Sequence, residues 1–197
     1  MKVENKEFEL RGINHLALVC SDMARTVDFY ANVLGMPLVK TLDLPGGMGQ
    51  HFFFDIGKGD MLAFFWFPDA PAAAPGVASP GDASLTTAHA SMNHVAFDVA
   101  PEKIEEYRER LVSKGVAVTE VTNHDDSERQ VSRKMHQGVW VRSIYFRDPD
   151  GILLEFAAST RELGPHEVKH TGATPKDRER YLKARAEAAG APRDRAV

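Results

Sequence analysis

Cysteine and long apolar runs are almost absent from this sequence. The 197 residues include one cysteine, Cys20, so a disulfide within the chain is excluded. The first ten residues lack an apolar stretch of signal-peptide length. No segment approaches the roughly 20 consecutive apolar residues that a membrane-spanning helix needs. These absences predict a soluble, cytoplasmic protein.

An excess of positive charge is also lacking. The chain has 24 Lys and Arg residues against 28 Asp and Glu residues, which gives a formal net charge of −4. Nucleic acids and anionic membranes bind basic surfaces, so neither is expected as a partner. A hydrophobic content of 43% in a chain of this length is sufficient for a buried core. The expected partner is therefore a small molecule.

An internal repeat organises the chain. Residues 13–18 (INHLAL) and 92–97 (MNHVAF) share the pattern apolar-Asn-His-apolar-Ala-apolar. Each copy precedes a helical pattern, at 22–34 with Ser21 as the predicted N-cap, and at 101–114. Each half then continues with three strand patterns, at 37–42, 50–56, 61–67, 116–122, 139–147 and 152–157. The fold class is α+β, with two paired βαβββ modules forming a cupped mixed sheet around a metal site.

Composition sets the boundaries of the two modules. The predicted segments are an N-terminal extension at 1–11, modules at 12–67 and 91–160, a Pro/Ala-rich linker at 68–90, and a charged tail at 161–197. A polar insertion at 124–138 interrupts the second module. Within the tail, 177–189 has the pattern of an amphipathic helix.

Glu155 is the most unusual residue of the final strand pattern. The turn sequence Asp-Pro-Asp-Gly at 148–151 leads into an apolar run that contains this carboxylate. Burying an unpaired carboxylate costs several kcal/mol, so Glu155 needs a cation, hydrogen bonds or solvent. His15 and His94 occupy equivalent positions of the repeat. Two imidazoles and one carboxylate are the ligands of a non-heme Fe(II) or Mn(II) site with open positions.

Three segments resemble the vicinal oxygen chelate superfamily, which includes glyoxalases, bleomycin-resistance proteins and extradiol dioxygenases. They are NHLALVCSDMARTVDFYANVLGM, MNHVAFDV and YFRDPDGILLEF, and the resemblance extends over about 12–160. It implies that His15, His94 and Glu155 are metal ligands. In glyoxalase I a fourth ligand, normally Glu, occupies the position of Ala63, so glyoxalase and epimerase chemistry lose support.

The residues before Glu155 resemble those of type I extradiol dioxygenases. Tyr145 and His136 match the spacing of the catalytic Tyr and His in that family. The resemblance implies cleavage of a catechol-type aromatic ring with Fe(II) and O2 in a homodimer. An apolar cluster would form the ring pocket, and its members are Phe52, Phe54, Phe65, Trp66 and Trp140.

Two other functions remain open. A metal-dependent transferase or lyase of the glyoxalase or fosfomycin-resistance type would use the same ligands with Mn(II), and a basic cluster of Arg142, Arg147 and Lys134 would suit a phosphonate. A non-catalytic binding protein of the bleomycin-resistance type is the third. Whether the modules pair within one chain or between two chains is also open. The remaining histidines are assigned to solvent, loops or the tail, and they are His51, His89, His124, His166 and His170.

Overall fold

The fold is given by a computed structural model that describes residues 13–45, 48–70, 92–163, 166, 168 and 172–190. The described residues from 13 to 162 form one compact unit, and those from 163 onward form a second. The predicted extension at 1–11 and most of the predicted linker lie outside the described residues. No helix in the described part of the chain is long and apolar enough to cross a membrane.

The first module contains a four-stranded sheet. Its strands are β1 (His15–Val19), β2 (Leu38–Asp43), β3 (Gln50–Gly57) and β4 (Asp60–Trp66), in the spatial order β1-β4-β3-β2. β1 runs parallel to β4, whereas the other pairs are antiparallel. Leu16 and Leu18 pack on the core, while His15, Ala17 and Val19 are exposed on the opposite face. This alternation is the one that the sequence predicts.

A single helical segment connects β1 to β2. It begins as α1 (Met23–Val27) and continues as one π-helical stretch, Asp28–Val33. The N-cap is Asp22, whose side chain accepts a hydrogen bond of 3.0 Å from the Arg25 N–H. The predicted cap, Ser21, is wrong, because its backbone N–H and its hydroxyl both donate to Asp150.

The second module repeats this topology with one strand more. Its strands are β5 (Val95–Asp98), β6 (Thr122–Asp125), β7 (Val131–Ser132), β8 (Val139–Arg147) and β9 (Leu153–Ser159), in the order β5-β9-β8-β6-β7. The 3₁₀ turn Pro101–Lys103 leads into helix α2 (Ile104–Ser113). The two mixed sheets and few helices confirm the predicted α+β fold.

The predicted strand at 116–122 is mostly not a strand. Only Val118 forms a bridge there, opposite Phe146, and the regular strand β6 begins at Thr122. Two hydrogen bonds explain the difference. The Val116 N–H donates to Leu111 O at the end of α2. The Tyr145 N–H donates to the Thr119 hydroxyl instead of a main-chain oxygen. Regular pairing with β8 therefore begins only at Thr122, and β6 forms a hairpin with β7 inside the predicted insertion.

The helices pack between the modules and share one core with the turn that precedes β9. Asp148 of this turn is buried and accepts hydrogen bonds from the backbone N–H groups of Asp150 and Ile152. Its other oxygen accepts a hydrogen bond of 3.2 Å from the hydroxyl of Tyr30, which is fully buried. The pKa of Asp148 is raised by burial. This contact fastens the helical segment of the first module to the second.

The described residues of the tail unit include one α-helix. A 3₁₀ turn, Pro175–Asp177, precedes α3 (Arg178–Gly190), so the predicted helix at 177–189 is confirmed. Thr174 and Asp177 form a capping box at its start.

Candidate metal and anion site

His94 and Glu155 meet on the open face of the second sheet. Glu155 lies on β9 and is 6% exposed, and its Oε2 is 3.0 Å from Nε2 of His94, which directly precedes β5. β5 and β9 are parallel neighbours, so the topology itself brings the two side chains together. Glu155 thus has the partner that its burial requires.

An asparagine orients each histidine of the repeat. Nδ1 of His94 lies 2.7 Å from Oδ1 of Asn93, and Nδ1 of His15 lies 2.8 Å from Oδ1 of Asn14. Because an amide oxygen only accepts, each contact requires the hydrogen on Nδ1, and Nε2 is the ring nitrogen directed away from the asparagine. Such an outer partner fixes the tautomer of a metal-binding histidine.

The His94–Glu155 contact is suited to a cation. Nε2 of His94 and Oε2 of Glu155 lie side by side, 3.0 Å apart. An imidazole nitrogen and a carboxylate oxygen are both ligands that a divalent cation can bind. Two of the three predicted ligands are therefore neighbours in the structure, and their role as metal ligands stays a prediction.

The third predicted ligand, His15, is on the other sheet. It lies on the exposed face of β1, with its ring 5.8 Å from that of Phe53. Among the described residues no three His, Cys, Asp or Glu side chains come together as a metal site. One chain does not bring His15 to His94 and Glu155, and its role as a ligand stays a prediction.

The registers of the two sheets show which residues are equivalent. Ala17 pairs with Ala63 across β1 and β4, and Ala96 pairs with Glu155 across β5 and β9. Ala63, which cannot bind a metal, thus occupies the position of Glu155, as the sequence alignment of the two modules indicates. The cross-strand neighbour of Ala63 is Phe53, whereas the cross-strand neighbour of Glu155 is Tyr145.

Tyr145 stands in the site beside Glu155. Its ring makes edge contacts with the rings of His94 and His124, with centroids 6.2 and 6.5 Å apart. Burial, together with the negative charge of Glu155, raises the pKa of Tyr145 to about 12. The phenol is therefore neutral near pH 7 and available as a hydrogen-bond donor.

Ser143 is a site residue that the sequence analysis missed. It is fully buried two positions before Tyr145 on the same face of β8, and its hydroxyl has no hydrogen-bond partner of acceptable geometry. A buried, unsatisfied hydroxyl costs about 1–3 kcal/mol unless a ligand or water completes it. The two-residue period from Tyr145 is the signal that could have identified it.

His136 does not reach Tyr145 in this structure. Its Nε2 donates to Oδ2 of Asp125 over 3.0 Å, and its Nδ1 accepts from the Gly138 N–H. Ser127 donates to the same carboxylate and, with His136, lowers the pKa of Asp125. His136 closes the β6–β7 hairpin, while the histidine beside Tyr145 is His124, with Nε2 at 3.2 Å from the hydroxyl.

The predicted basic and aromatic clusters are divided between faces. Arg142 turns to α2, where its guanidinium pairs with Glu105 and its Nε donates to Asn123. Arg147 donates to Gly151 O. Phe54 is wholly in the core against Tyr30. The predicted ring pocket therefore does not form as one cluster.

His51 belongs to the open face of the first sheet rather than to solvent alone. Its ring stacks on Phe65 at 3.6 Å, and its buried Nε2 has no hydrogen-bond partner among the described residues. Burial, and then the neighbouring His15, lowers its pKa. His89 and His170 lie outside the described part of the chain.

Comparison with known families agrees with this architecture. The model of the Glyoxalase/Bleomycin resistance protein/Dioxygenase superfamily matches residues 12–156. The chain belongs to this superfamily. A solved structure of a glyoxalase family protein from Enterococcus faecalis has the same fold, with a TM-score of 0.54 and 24% identity over 75% of this chain and 97% of that one.

Curated relatives within the superfamily distinguish among the predicted functions. The metallothiol transferase FosB of Shouchella clausii is 28% identical over 77% of this chain and 82% of its own length. The fosfomycin resistance protein FosX of Listeria monocytogenes is 25% identical over 78% of this chain and 93% of its own. The predicted extradiol dioxygenase function, with a catechol substrate in aromatic catabolism, is therefore wrong.

Proposed function

We propose that this chain is a metal-dependent transferase that adds a thiol to a small phosphonate of the fosfomycin type. The observation that carries the proposal is the His94–Glu155 pair, 3.0 Å apart, beside the donors Tyr145 and Ser143 on one open face. The transferase and resistance proteins among its relatives support the same reading.

His94 and Glu155, with the predicted ligand His15, would hold the metal. Imidazole and carboxylate ligands suit Mn(II), and they leave positions open for a substrate. The metal supplies Lewis-acid polarisation of a substrate oxygen. Asn93 keeps His94 in the binding tautomer throughout, because its amide oxygen holds the Nδ1 hydrogen.

The phosphonate contacts would come from neutral donors. The Tyr145 phenol and the Ser143 hydroxyl both point to the face that Glu155 occupies, and neither carries a charge that must be desolvated. In the reaction, the thiol sulfur forms a bond to an epoxide carbon, the carbon–oxygen bond breaks, and the resulting alkoxide takes up the proton that the thiol released. Donors aimed at the anionic oxygens would orient the substrate for this attack.

The full ligand set implies a second copy of the chain. Within one chain, the Tyr30–Asp148 contact joins the modules on the helix side of the sheets, whereas His15 and Val19 remain exposed on the opposite face of β1. On the first sheet, β2 is exposed at every position, and Val19 beside His15 is 52% exposed. A dimer in which the first module of one copy covers the second module of the other would bury these residues and bring His15 to the partner's metal site.

The test is consumption of fosfomycin by the purified protein. Protein stripped of metal and reloaded with Mn(II), Zn(II), Mg(II) or Fe(II) is incubated with fosfomycin and either glutathione or L-cysteine, and the adduct is measured by mass spectrometry. We expect a metal-dependent thiol adduct that Glu155→Gln abolishes. The matched control, Glu102→Gln on an exposed turn, should leave the rate unchanged. No adduct with any metal and thiol, or consumption of fosfomycin without a thiol, would overturn the transferase proposal.

A further inference from the structure

His124 is placed to control the Tyr145 hydroxyl, although the sequence offers no sign of it. It lies on β6, where it pairs with Val141 on the face that Tyr145 shares. Its Nε2 is 3.2 Å from the phenol oxygen, and its ring lies 6.0 Å from that of Trp140. The strand pairing holds the backbone of His124, and the rings of Trp140 and Tyr145 are the aromatic neighbours of its imidazole.

The phenol has one hydrogen, and its neighbours include two groups that can accept it. One is the carboxylate of Glu155, which hydrogen-bonds to the phenol and helps to raise its pKa. The other is His124, if the hydrogen of its imidazole is on Nδ1. With the hydrogen on Nε2 instead, His124 donates to the phenol oxygen, and the phenol hydrogen is directed away from β6 towards the cup. Only this second arrangement places the phenol hydrogen on the side of Glu155, where a bound ligand can compete for it.

We infer that His124 is a positioning residue that donates from Nε2 to the Tyr145 oxygen and thereby aims the phenol hydrogen at an anionic substrate oxygen. The inference rests on the proposed function for the identity of the substrate, but the orientation itself is a property of the protein alone. A hydrogen-bonded chain in a partly buried site polarises along its length, so the donated bond also makes Tyr145 a stronger donor. His124 is not itself in contact with the substrate.

A merely structural hydrogen bond would behave differently. If His124 only braced the hairpin, its replacement would lower stability and leave ligand affinity unchanged. A side chain that can still donate at the same reach would then have no advantage over an apolar one. His124→Gln and His124→Leu separate these cases, because glutamine keeps an N–H donor and leucine does not.

The first measurement is the tautomer of His124 in the metal-free protein, read from long-range ¹H–¹⁵N NMR. We expect the Nε2–H form in wild type, and a mixed or Nδ1–H form in Tyr145→Phe. An Nδ1–H tautomer in the wild-type protein would overturn the inference, whatever the protein's activity.

The second measurement is the affinity of the Mn(II)-loaded protein for methylphosphonate, by calorimetry. We expect His124→Leu to weaken binding by about threefold to tenfold, the effect of one hydrogen bond, and His124→Gln to remain within about twofold of wild type. Tyr145→Phe should weaken binding at least as much as His124→Leu. Tyr107→Phe should not change it, because the Tyr107 ring lies on α2 and packs against Phe156.

The outcomes keep the two proposals distinguishable. Wild-type affinity in His124→Leu, together with weakened binding in Tyr145→Phe, would refute the role of His124 and leave the proposed function intact. If wild type does not bind methylphosphonate, the proposed phosphonate substrate falls, and the NMR result alone decides the orientation of Tyr145.

Discussion

Tyr30→Phe tests how the two modules are held together. The substitution removes one oxygen from a fully buried ring and leaves Oδ2 of Asp148 without its donor. A hydrogen bond to a charged group contributes about 1.5–3 kcal/mol, and the orphaned carboxylate oxygen cannot be rehydrated easily because Asp148 is only 5% exposed. For a unit of this size, that loss corresponds to a fall in Tm of about 3–12 °C.

The loss should depend on pH in a defined direction. Burial raises the pKa of Asp148 above its usual 3.8, and the Tyr30 hydroxyl partly offsets this rise. Ionisation of Asp148 therefore destabilises the native state as pH rises through the folded-state pKa, and more so in Tyr30→Phe, where the pKa is higher still. The difference in unfolding free energy between wild type and variant should be full at pH 7 and shrink as pH falls towards 4.

Urea unfolding at pH 4 to 7.5 measures this difference. Tyr107→Phe is the matched control, because it removes a tyrosine hydroxyl in α2 that makes no described hydrogen bond, and its effect should be within about 0.5 kcal/mol. A loss of under 0.5 kcal/mol in Tyr30→Phe, or a loss that is constant with pH, would refute the reasoning.

Three further predictions concern the site and its hairpin. Ser143→Ala should leave the protein as stable as wild type in urea unfolding, because it removes an unsatisfied hydroxyl, while it weakens methylphosphonate binding about threefold to tenfold in calorimetry. His136→Leu should speed proteolysis within 126–138 without changing metal content, because it removes the hydrogen bond between His136 and Asp125. An unchanged cleavage rate would contradict this role. Ala63→Glu should slow metal release to a chelator by supplying a carboxylate opposite Glu155, and an unchanged release rate would show that Ala63 does not face the metal.

The sequence was most informative where the internal repeat coincided with the two-residue alternation of a strand. The repeat around His15 and His94 predicts the first strand of each module, and the alternation on β1 correctly separates its core face from its open face. Both ends of β8 were predicted correctly, because its run of strand-forming residues lies between a polar segment and the turn at 148–151. Glu155 was identified by its cost in an apolar strand, and the structure supplies its partner.

Side-chain hydrogen bonds account for what the sequence could not predict. Thr119 replaces a main-chain acceptor for Tyr145 and shifts the start of β6, so that His124 lies on a strand instead of a loop. His136 satisfies Asp125 rather than the site, although its spacing to Tyr145 is that of a catalytic histidine. Such pairings depend on where a hairpin folds back, and no local pattern of residues encodes that.

The central claim is a metal site built from two copies of the chain, and mixed dimers test it most directly. His15→Ala chains and Glu155→Ala chains are unfolded, mixed, refolded and separated by two different affinity tags, and the metal content of the heterodimer is measured. The account predicts no metal in either variant alone and one metal per heterodimer, because one of its two sites keeps His15 from one chain with His94 and Glu155 from the other. A heterodimer without metal, while wild type retains it, would contradict the shared site.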